Sequence, residues 1–433
     1  MSTSSRASIA GGAAARDDAP PGETHKGFVL GMHRTVAPEA TLDLACRWMP
    51  LFGITRIANV TGLDPIGVPV VMVARPNAKS LSVAQGKGLT LAAAQASGLM
   101  EAIESHHAEN VTLPLKLATP KQLSPGHRLI DVARLPRHAR GSFHGDVRTL
   151  WIEGHDVMDG GSRWVPYAVV HTDFTIPLPP GSDTFLMTSS GLASGNHPLE
   201  AVCHGLCELI ERDAVTLFRA RGAAARAAAR LDLDTVDDPA CRDVLARYDR
   251  AGIAVSAWNV TSDAGVAAFY AAIVEREANV QRPITPMGGM GCHPAREVAL
   301  LRALTEAAQS RLTLVAGARD DMVGQRPEPA EYIRAVRRFH EERTAPGPRV
   351  SYADVPTCDH ATFEADVSFV LDRLRAVGCD QVVVVDLTKA EIGIPVMRVV
   401  VPGLEALSDV PGYLPGARAR AAQAGVGAGR GRS

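Results

Sequence analysis

Three helical segments of this 433-residue chain carry acidic or amide residues at the three- and four-residue spacing of one helix face. The residues of these faces are Glu101 and Glu104 in residues 89–109, Glu200, Glu208 and Glu211 in residues 198–221, and Glu306 and Gln309 in residues 295–316. Residues three or four apart share one face of a helix, where like charges repel by roughly a few tenths of a kcal/mol per pair. No Lys or Arg lies between Lys87 and Lys116 or between Arg163 and Glu211. Any one such face could simply be solvated, but three of them indicate that something else neutralises the carboxylates, and hard divalent cations with oxygen ligands are the natural candidates.

A glycine-rich stretch precedes each of these helical segments: Gly86-Lys87-Gly88, residues 190–196 (SGLASGN) and residues 288–291 (GGMG). Glycines before a helix allow backbone N–H groups and the helix N-terminus to approach an anion closely. The chain contains neither a Walker P-loop nor a dinucleotide-binding glycine fingerprint in its usual setting. Acidic helices beside anion-binding loops therefore predict a nucleotide whose phosphates carry Mg²⁺, and they leave the acceptor of the reaction open.

The composition excludes several other classes of function. The chain has 45 Lys and Arg against 47 Asp and Glu, so its bulk charge does not favour binding to nucleic acid or to anionic membranes. It contains no stretch of about 18 apolar residues that would cross a membrane, and no apolar core of a secretion signal near its start. Seven scattered cysteines are typical of reduced thiols, so we expect a cytoplasmic protein without nucleic-acid or membrane partners.

Strands and helices do not alternate regularly enough for a doubly wound parallel sheet, which favours an α+β fold of mixed sheets with packed helices. The predicted strands are 54–60, 66–73, 148–153, 164–171, 254–260, 266–274, 382–387 and one ending at Val401, and the further helices are 38–52 and 363–377. The matching pentapeptides IGVPV (66–70) and IGIPV (392–396) predict two equivalent strand–turn–strand pieces in one core. We expect one domain over residues 28–415, with loops at 173–184 and 282–294, between disordered segments 1–27 and 416–433.

The motifs around the acidic helices resemble those of the YcaO family. Residues 189–214 (SSGLASGNHPLEAVCHGLCELIERDA) fill every characteristic position of the family's S-x-G-x-A-x-G…E-A…H-x-x-x-E-x-x-E-R-D signature. Residues 85–104 (QGKGLTLAAAQASGLMEAIE) are similar to its Lys-then-SxxxExxE segment, and residues 303–311 and 392–405 are similar to later blocks. The resemblance spans about residues 28–415 and implies a YcaO-type ATP-binding fold.

This resemblance implies ATP-dependent modification of peptide backbones. In the family's reaction the amide oxygen takes the γ-phosphoryl group, so that a poor electrophile acquires phosphate as a leaving group. A neighbouring Cys, Ser or Thr then gives an azoline, whereas sulfide gives a thioamide. Catalysis of such a transfer depends mainly on positioning and charge neutralisation, and the resemblance assigns no catalytic residue.

The resemblance does assign binding residues, position by position. The implied Mg²⁺ ligands are the carboxylates Glu101, Glu104, Glu208 and Glu211. The implied ATP contacts are Lys87, Ser97, Asn196, Glu200, Arg212, Gln309, Glu306 and Arg311. His204 shares a helix face with Glu208, but a histidine in such a position is more often structural than functional.

The two ends of the chain bear on the type of product. Azoline-forming members commonly end in a PxPxP terminus, whereas this chain ends GARARAAQAGVGAGRGRS. Residues 31–73 are similar to YcaO proteins that accompany TfuA, which is implicated in sulfur delivery. The sequence therefore favours thioamide formation on a ribosomally made peptide or protein, with a TfuA-type partner, over azoline formation by a cyclodehydratase. A non-catalytic ATP-binding accessory role is the third hypothesis, and a homodimer is a further expectation from the family.

Overall fold

The computed structural model describes residues 23–141, 144–319 and 327–430, and it confirms the mixed α+β class. The strands are β1 (Arg56–Asn59), β2 (Val70–Ala74), β3 (Val83–Lys87), β4 (Leu115–Ala118), β5 (Thr149–Asp156), β6 (Gly161–Pro166), β7 (Leu192–Ser194), β8 (Ile253–Asn259), β9 (Ala268–Glu275), β10 (Met287–Cys292), β11 (Val383–Asp386) and β12 (Val396–Val400). The helices are α1 (Pro38–Ala45), α2 (Met49–Phe52), α3 (Leu91–Glu109), α4 (Pro120–Leu123), α5 (Pro198–Ala220), α6 (Ala223–Ala228), α7 (Pro239–Arg250), α8 (Arg296–Ala316), α9 (Pro329–Thr344), α10 (Phe363–Ala376) and α11 (Ala417–Arg430). Within the described ranges, none of the helices combines the length and the apolar character that a membrane crossing requires.

Each of the three acidic helices packs on an antiparallel sheet. Helix α3 lies on the sheet β1–β2–β3, and α8 lies on the sheet β10–β9–β8. Helix α5 packs against β7 and β12 of the third sheet, which has the order β4–β5–β11–β12–β7 with β6 added beside β5. The sheets therefore set the positions of the three helices, and the helices carry the predicted site residues.

All three glycine-rich stretches contain strand residues, of β3, β7 and β10, rather than being anion-binding loops throughout. Gly86 lies in β3, and a Cβ there would overlap the backbone oxygen of Ala94 in α3. Gly289 lies in β10, where a Cβ would overlap the backbone of Ala303 in α8. These glycines are needed because strand and helix approach each other too closely for any side chain.

The two matching pentapeptides do occupy equivalent local structures. Gly67 and Gly393 both have a φ of 73°, a left-handed conformation that favours glycine, and each precedes the second strand of an antiparallel pair. The pairs β1–β2 and β11–β12 belong to different sheets, but Val71 and Val385 lie in one hydrophobic core. The predicted strand 164–171 is shorter than expected, because β6 ends at Pro166 and a single 3₁₀ turn follows.

Both terminal segments are more ordered than predicted where the structure describes them. Residues 416–430 include helix α11, in which Arg418 Nε lies 2.9 Å from the buried Asp213 carboxylate. Alanine and arginine have high helix propensities. Asp213, the partner of Arg418, is distant in sequence. Lys26 Nζ lies 2.7 Å from Asp366, so residues 23–27 are also held against the domain. The prediction for residues 1–22 lies outside the described residues.

Candidate active site

A cavity of about 770 Å³ lies where α3, α5 and α8 converge. One face of each helix lines it: Ser97, Glu101 and Glu104 from α3, Glu200, His204, Glu208, Glu211 and Arg212 from α5, and Arg302, Glu306 and Gln309 from α8. The spacing of three and four residues places these side chains on one face of each helix. Lys87 at the end of β3 and Asn196 also line the cavity. The structure therefore brings together eleven of the twelve predicted site residues.

Arg311 is the predicted site residue that does not line this cavity. Its Nη2 lies 2.9 Å from Glu275 Oε1, and its Nε lies 3.5 Å from Asp64 Oδ2. Arg311 follows Gln309 by two residues, which turns it by about 200° around the helix axis. The structure therefore does not bring Arg311 to the cavity but makes it part of a buried ion-pair cluster on the other side of α8.

Basic side chains from separate parts of the chain meet the carboxylates. Lys87 Nζ lies 2.9 Å from Glu306 Oε2. The Arg212 guanidinium contacts two acids on its own helix, with distances of 3.0 Å to Glu208 and 3.2 Å to Glu211. These ion pairs neutralise part of the negative charge of the acidic helices.

Two arginines of the cavity are absent from the sequence prediction. Arg302 lies four residues before Glu306, so helical spacing alone could have identified it. Arg34 comes from the N-terminal segment and reaches to 3.5 Å from Glu200, a contact that no local pattern signals. The backbone N–H and the hydroxyl of Thr35 donate to Glu200 Oε2 at 2.9 and 2.8 Å, so Glu200 also holds this segment at the cavity.

The charges in the cavity remain unbalanced. Six glutamates and four basic side chains line it, which leaves an excess of two negative charges when all are ionised. Burial raises the pKa of Glu211 to about 7, although Arg212 favours its charged form. Burial also raises the pKa of Glu104 to about 8, although Ser194 donates to Oε1 through its backbone N–H at 2.8 Å and its hydroxyl at 2.7 Å. At both carboxyl groups the cost of burial outweighs the favourable contacts, so their negative charge is only partly compensated by the protein.

The donor set fits Mg²⁺. Glu101, Glu104, Glu208 and Glu211 offer carboxylate oxygens, the ligands that hard divalent cations prefer. Oε2 of Glu211, a side chain that is only 2% exposed, has no hydrogen-bond partner within the described part of the chain. A buried oxygen without a partner costs free energy unless a ligand satisfies it. Oε1 of Gln309 is likewise buried and has no hydrogen-bond partner among the described residues.

His204 lies in the same cavity but has a local partner. Its Nδ1 is 3.4 Å from Nη1 of Arg302. Burial, together with the nearby Arg302, holds the pKa of His204 well below its usual value, so its ring is neutral and accepts this bond. The histidine therefore helps to position Arg302.

Comparisons with known proteins agree with this geometry. The chain matches the family described as YcaO cyclodehydratase, ATP- and Mg²⁺-binding, over residues 85–405. A protein of Rhizobium leguminosarum bv. trifolii, described as an uncharacterized protein in the tfuA 3′ region, is 37% identical over 376 residues, which cover 86% of this chain and 88% of that protein.

Two solved structures share the fold. A heterocyclase in complex with substrate and cofactor has a TM-score of 0.71 at 23% identity, and the match covers 89% of this chain but only 54% of that one. The structure of YcaO from Methanopyrus kandleri bound with AMPPCP and Mg²⁺ has a TM-score of 0.69 at 22% identity, over 88% of this chain and 95% of that one. The sequence match covers most of the chain and the architecture is the same, and this chain therefore belongs to the YcaO family, described as binding ATP and Mg²⁺.

Proposed function

We propose that this chain is an ATP- and Mg²⁺-dependent enzyme that converts a backbone amide of a ribosomally made peptide or protein into a thioamide, with a TfuA-type partner. The observation that carries the proposal is the cavity itself, in which carboxylates and basic side chains from three helices converge. ATP would supply the phosphoryl group that makes the amide oxygen a leaving group, and sulfide would then displace phosphate. Positioning and charge neutralisation are the main contributions that a protein makes to such a transfer.

The proposed roles of the cavity residues divide into three groups by charge. Glu101, Glu104, Glu208 and Glu211 would hold Mg²⁺, since they present oxygen ligands and lack a full set of cations. Lys87, Arg34, Arg212 and Arg302 would contact the phosphates, because basic side chains in a partly buried cavity stabilise developing negative charge. Ser97, Asn196 and Gln309 would orient the nucleotide through hydrogen bonds. Asn196 is itself held by Thr41, at 3.0 Å between Nδ2 and Oγ1.

The choice of sulfur as the nucleophile rests on a relative. The Rhizobium leguminosarum protein, 37% identical to this chain, is described by its place in the tfuA 3′ region. We infer from this relative that the present chain also works with a TfuA-type protein. Azoline formation, which the family description as a cyclodehydratase suggests, is the alternative product.

The test is a reconstitution. The chain and a TfuA-type protein are incubated with ATP, Mg²⁺, sulfide and short peptides encoded beside the gene, and the products are analysed by mass spectrometry. We expect the mass gain of one oxygen-to-sulfur exchange, with phosphate released in equal amount. Loss of one water would instead assign azoline formation, and nucleotide binding without any change in the peptides would assign an accessory role.

Two matched variants make the test specific to the cavity. Glu211→Gln should abolish the product, because it removes one of the proposed Mg²⁺ ligands. Glu331→Gln changes an exposed glutamate on α9 and should leave the yield unchanged. Equal yields from both variants would place the chemistry outside the cavity.

A further inference from the structure

Two segments beside the cavity expose large apolar side chains at alternate positions. The first segment, at β4, has Leu113, Leu115 and Leu117, which are 36%, 38% and 42% exposed. The second, the loop after residue 173, has Phe174, Ile176 and Leu178, which are 41%, 91% and 42% exposed. We call these six side chains the apolar track. Contiguous exposed apolar surface of this kind marks an interaction site more often than a single exposed leucine does.

The two segments follow the same course across the surface. At the start, the backbone N–H of Thr172 donates to Ala108 at 3.1 Å. Lys79 Nζ also joins the two, with 3.1 Å to the Glu109 oxygen and 3.0 Å to Asp173 Oδ2. At the far end, the hydroxyl of Thr149 donates to the Pro180 oxygen at 3.4 Å. Thr149 is the partner of Ala118, the last residue of β4, so residues 174–179 run from the end of α3 to the end of β4.

The register of β4 fixes the side of the six-stranded sheet on which its leucines lie. Lys116 Nζ lies 4.4 Å from the centre of the Trp164 ring, on one face of β4. Successive side chains of a strand point to opposite faces, so Leu115 and Leu117 lie on the other face. There Leu115 pairs with Ile152, a member of the hydrophobic core that also contains Phe185, at the end of the loop. Leu115 and Leu117 therefore lie on the face of β4 that corresponds to the core side of the sheet.

The track also reaches the cavity. Phe174 belongs to the track and lines the cavity, together with Leu81 and Met187. Leu81 is itself 44% exposed, so the mouth of the cavity has an apolar rim on this side. A chain that presents an amide to the carboxylates and basic residues inside would pass this rim.

We propose that the apolar track binds the substrate peptide in an extended conformation, next to the amide that is modified, and selects peptides with large apolar side chains at alternate positions. The inference rests on the proposed function and names the class of substrate. An extended peptide matches the track because its side chains also alternate with a period of two residues. Four extended residues span roughly 13 Å, the length of β4. A stable dimer buries about 800 Å² on each partner, more than six partly exposed side chains supply.

The experiment measures binding of two synthetic probes to the full-length protein with Mg²⁺ and AMPPCP. One fluorescein-labelled peptide has leucine at three alternate positions and lysine at both ends, and the other has serine in place of the leucines. Fluorescence anisotropy should show that the leucine peptide binds roughly tenfold more tightly, because several apolar side chains leave water. The double variant Ile176→Ser/Leu117→Ser should reduce this preference to about twofold or less.

A matched control separates the track from general surface hydrophobicity. Ile333→Ser removes an isoleucine on α9 that is 45% exposed, and it should keep the full preference. Equal binding of the two peptides, or an unchanged preference in the double variant, would overturn the proposal. A dimer that becomes a monomer in the double variant by light scattering would assign the track to a second copy of this chain and would also overturn it.

The readout is independent of the proposed chemistry. AMPPCP does not transfer its terminal phosphoryl group, so peptide affinity is measured whether or not a thioamide can form. A failed reconstitution with an intact leucine preference would refute thioamide formation alone. A successful reconstitution without that preference would refute the apolar track alone.

Discussion

Replacing Glu211 by glutamine should stabilise the metal-free protein at neutral pH and abolish its Mg²⁺-dependent binding of nucleotide. Glu211 is 2% exposed, and its Oε2 has no hydrogen-bond partner among the described residues. In the unfolded chain a glutamate has its ordinary pKa of 4.5, whereas in the folded protein burial raises the pKa of Glu211 to about 7. The folded state therefore binds more protons than the unfolded state between these values, and stability falls as the pH rises through them.

The size of this effect follows from the shift. One pKa unit corresponds to about 1.36 kcal/mol, so ionising Glu211 costs the fold about 3 kcal/mol at pH values above 7. Below about pH 4.5 the carboxyl is protonated in both states, and the cost disappears. Glutamine keeps the shape of the side chain and carries no charge. For a protein of this size we expect the variant to melt roughly 3 °C higher at pH 8 and at the same temperature as the parent near pH 4.5.

Differential scanning fluorimetry over this pH range tests the prediction, without ligand and with Mg²⁺ and AMPPCP. The parent protein should gain stability from the metal–nucleotide pair, and Glu211→Gln should lose that gain. The exposed Glu331→Gln variant should match the parent in both conditions. A Glu211→Gln protein that melts lower at every pH, or that keeps the ligand-induced gain, would show that Glu211 is a structural carboxylate.

Three further predictions address the packing of α8, the ion pair behind it and the metal. Gly289→Ala should destabilise the protein by about 1–3 kcal/mol in urea denaturation, since its Cβ would overlap the backbone of Ala303, whereas Gly126→Ala, with open space around it, should have little effect. Arg311→Met should lower the free energy of unfolding by about 3 kcal/mol, because it leaves the Asp64 carboxylate, which is 2% exposed, without its partner, and isothermal titration should find the nucleotide affinity unchanged. Chelation with EDTA should remove the stabilisation by AMPPCP, and excess Mg²⁺ should restore it; stabilisation that survives the chelator would contradict a metal-dependent site.

Much of the candidate site follows from local sequence. The spacing of Glu101 and Glu104, or of Glu208 and Glu211, fixes which side chains share a helix face, since the α-helix has 3.6 residues per turn wherever it forms. The sequence also places the helices within a few residues, as for α3, which begins at Leu91 and ends at Glu109. The pattern of Tyr332, Val336 and Phe339 on α9 has the same helical spacing and could have identified that helix too.

The strands β3 and β10 escape sequence-based prediction for a physical reason. Glycine has a low preference for strands when it is judged alone, so Gly86 and Gly289 indicate a turn. Only the approach of α3 and α8 explains why a strand needs glycine at these positions. The packing of α11 likewise depends on Asp213, a residue distant in sequence that forms an ion pair with Arg418.

The sequence by itself determined that this protein presents acidic helix faces and that it belongs with the YcaO signature, because spacing and motif are local properties of the chain. The tertiary structure decided which faces meet, since the packing of three helices on three sheets is set by contacts between residues far apart in sequence. It placed Arg34 beside Glu200 and turned Arg311 away towards Asp64. It also placed Phe174, whose backbone N–H donates to Lys79, and Leu81 at the cavity, which gives the cavity an apolar rim.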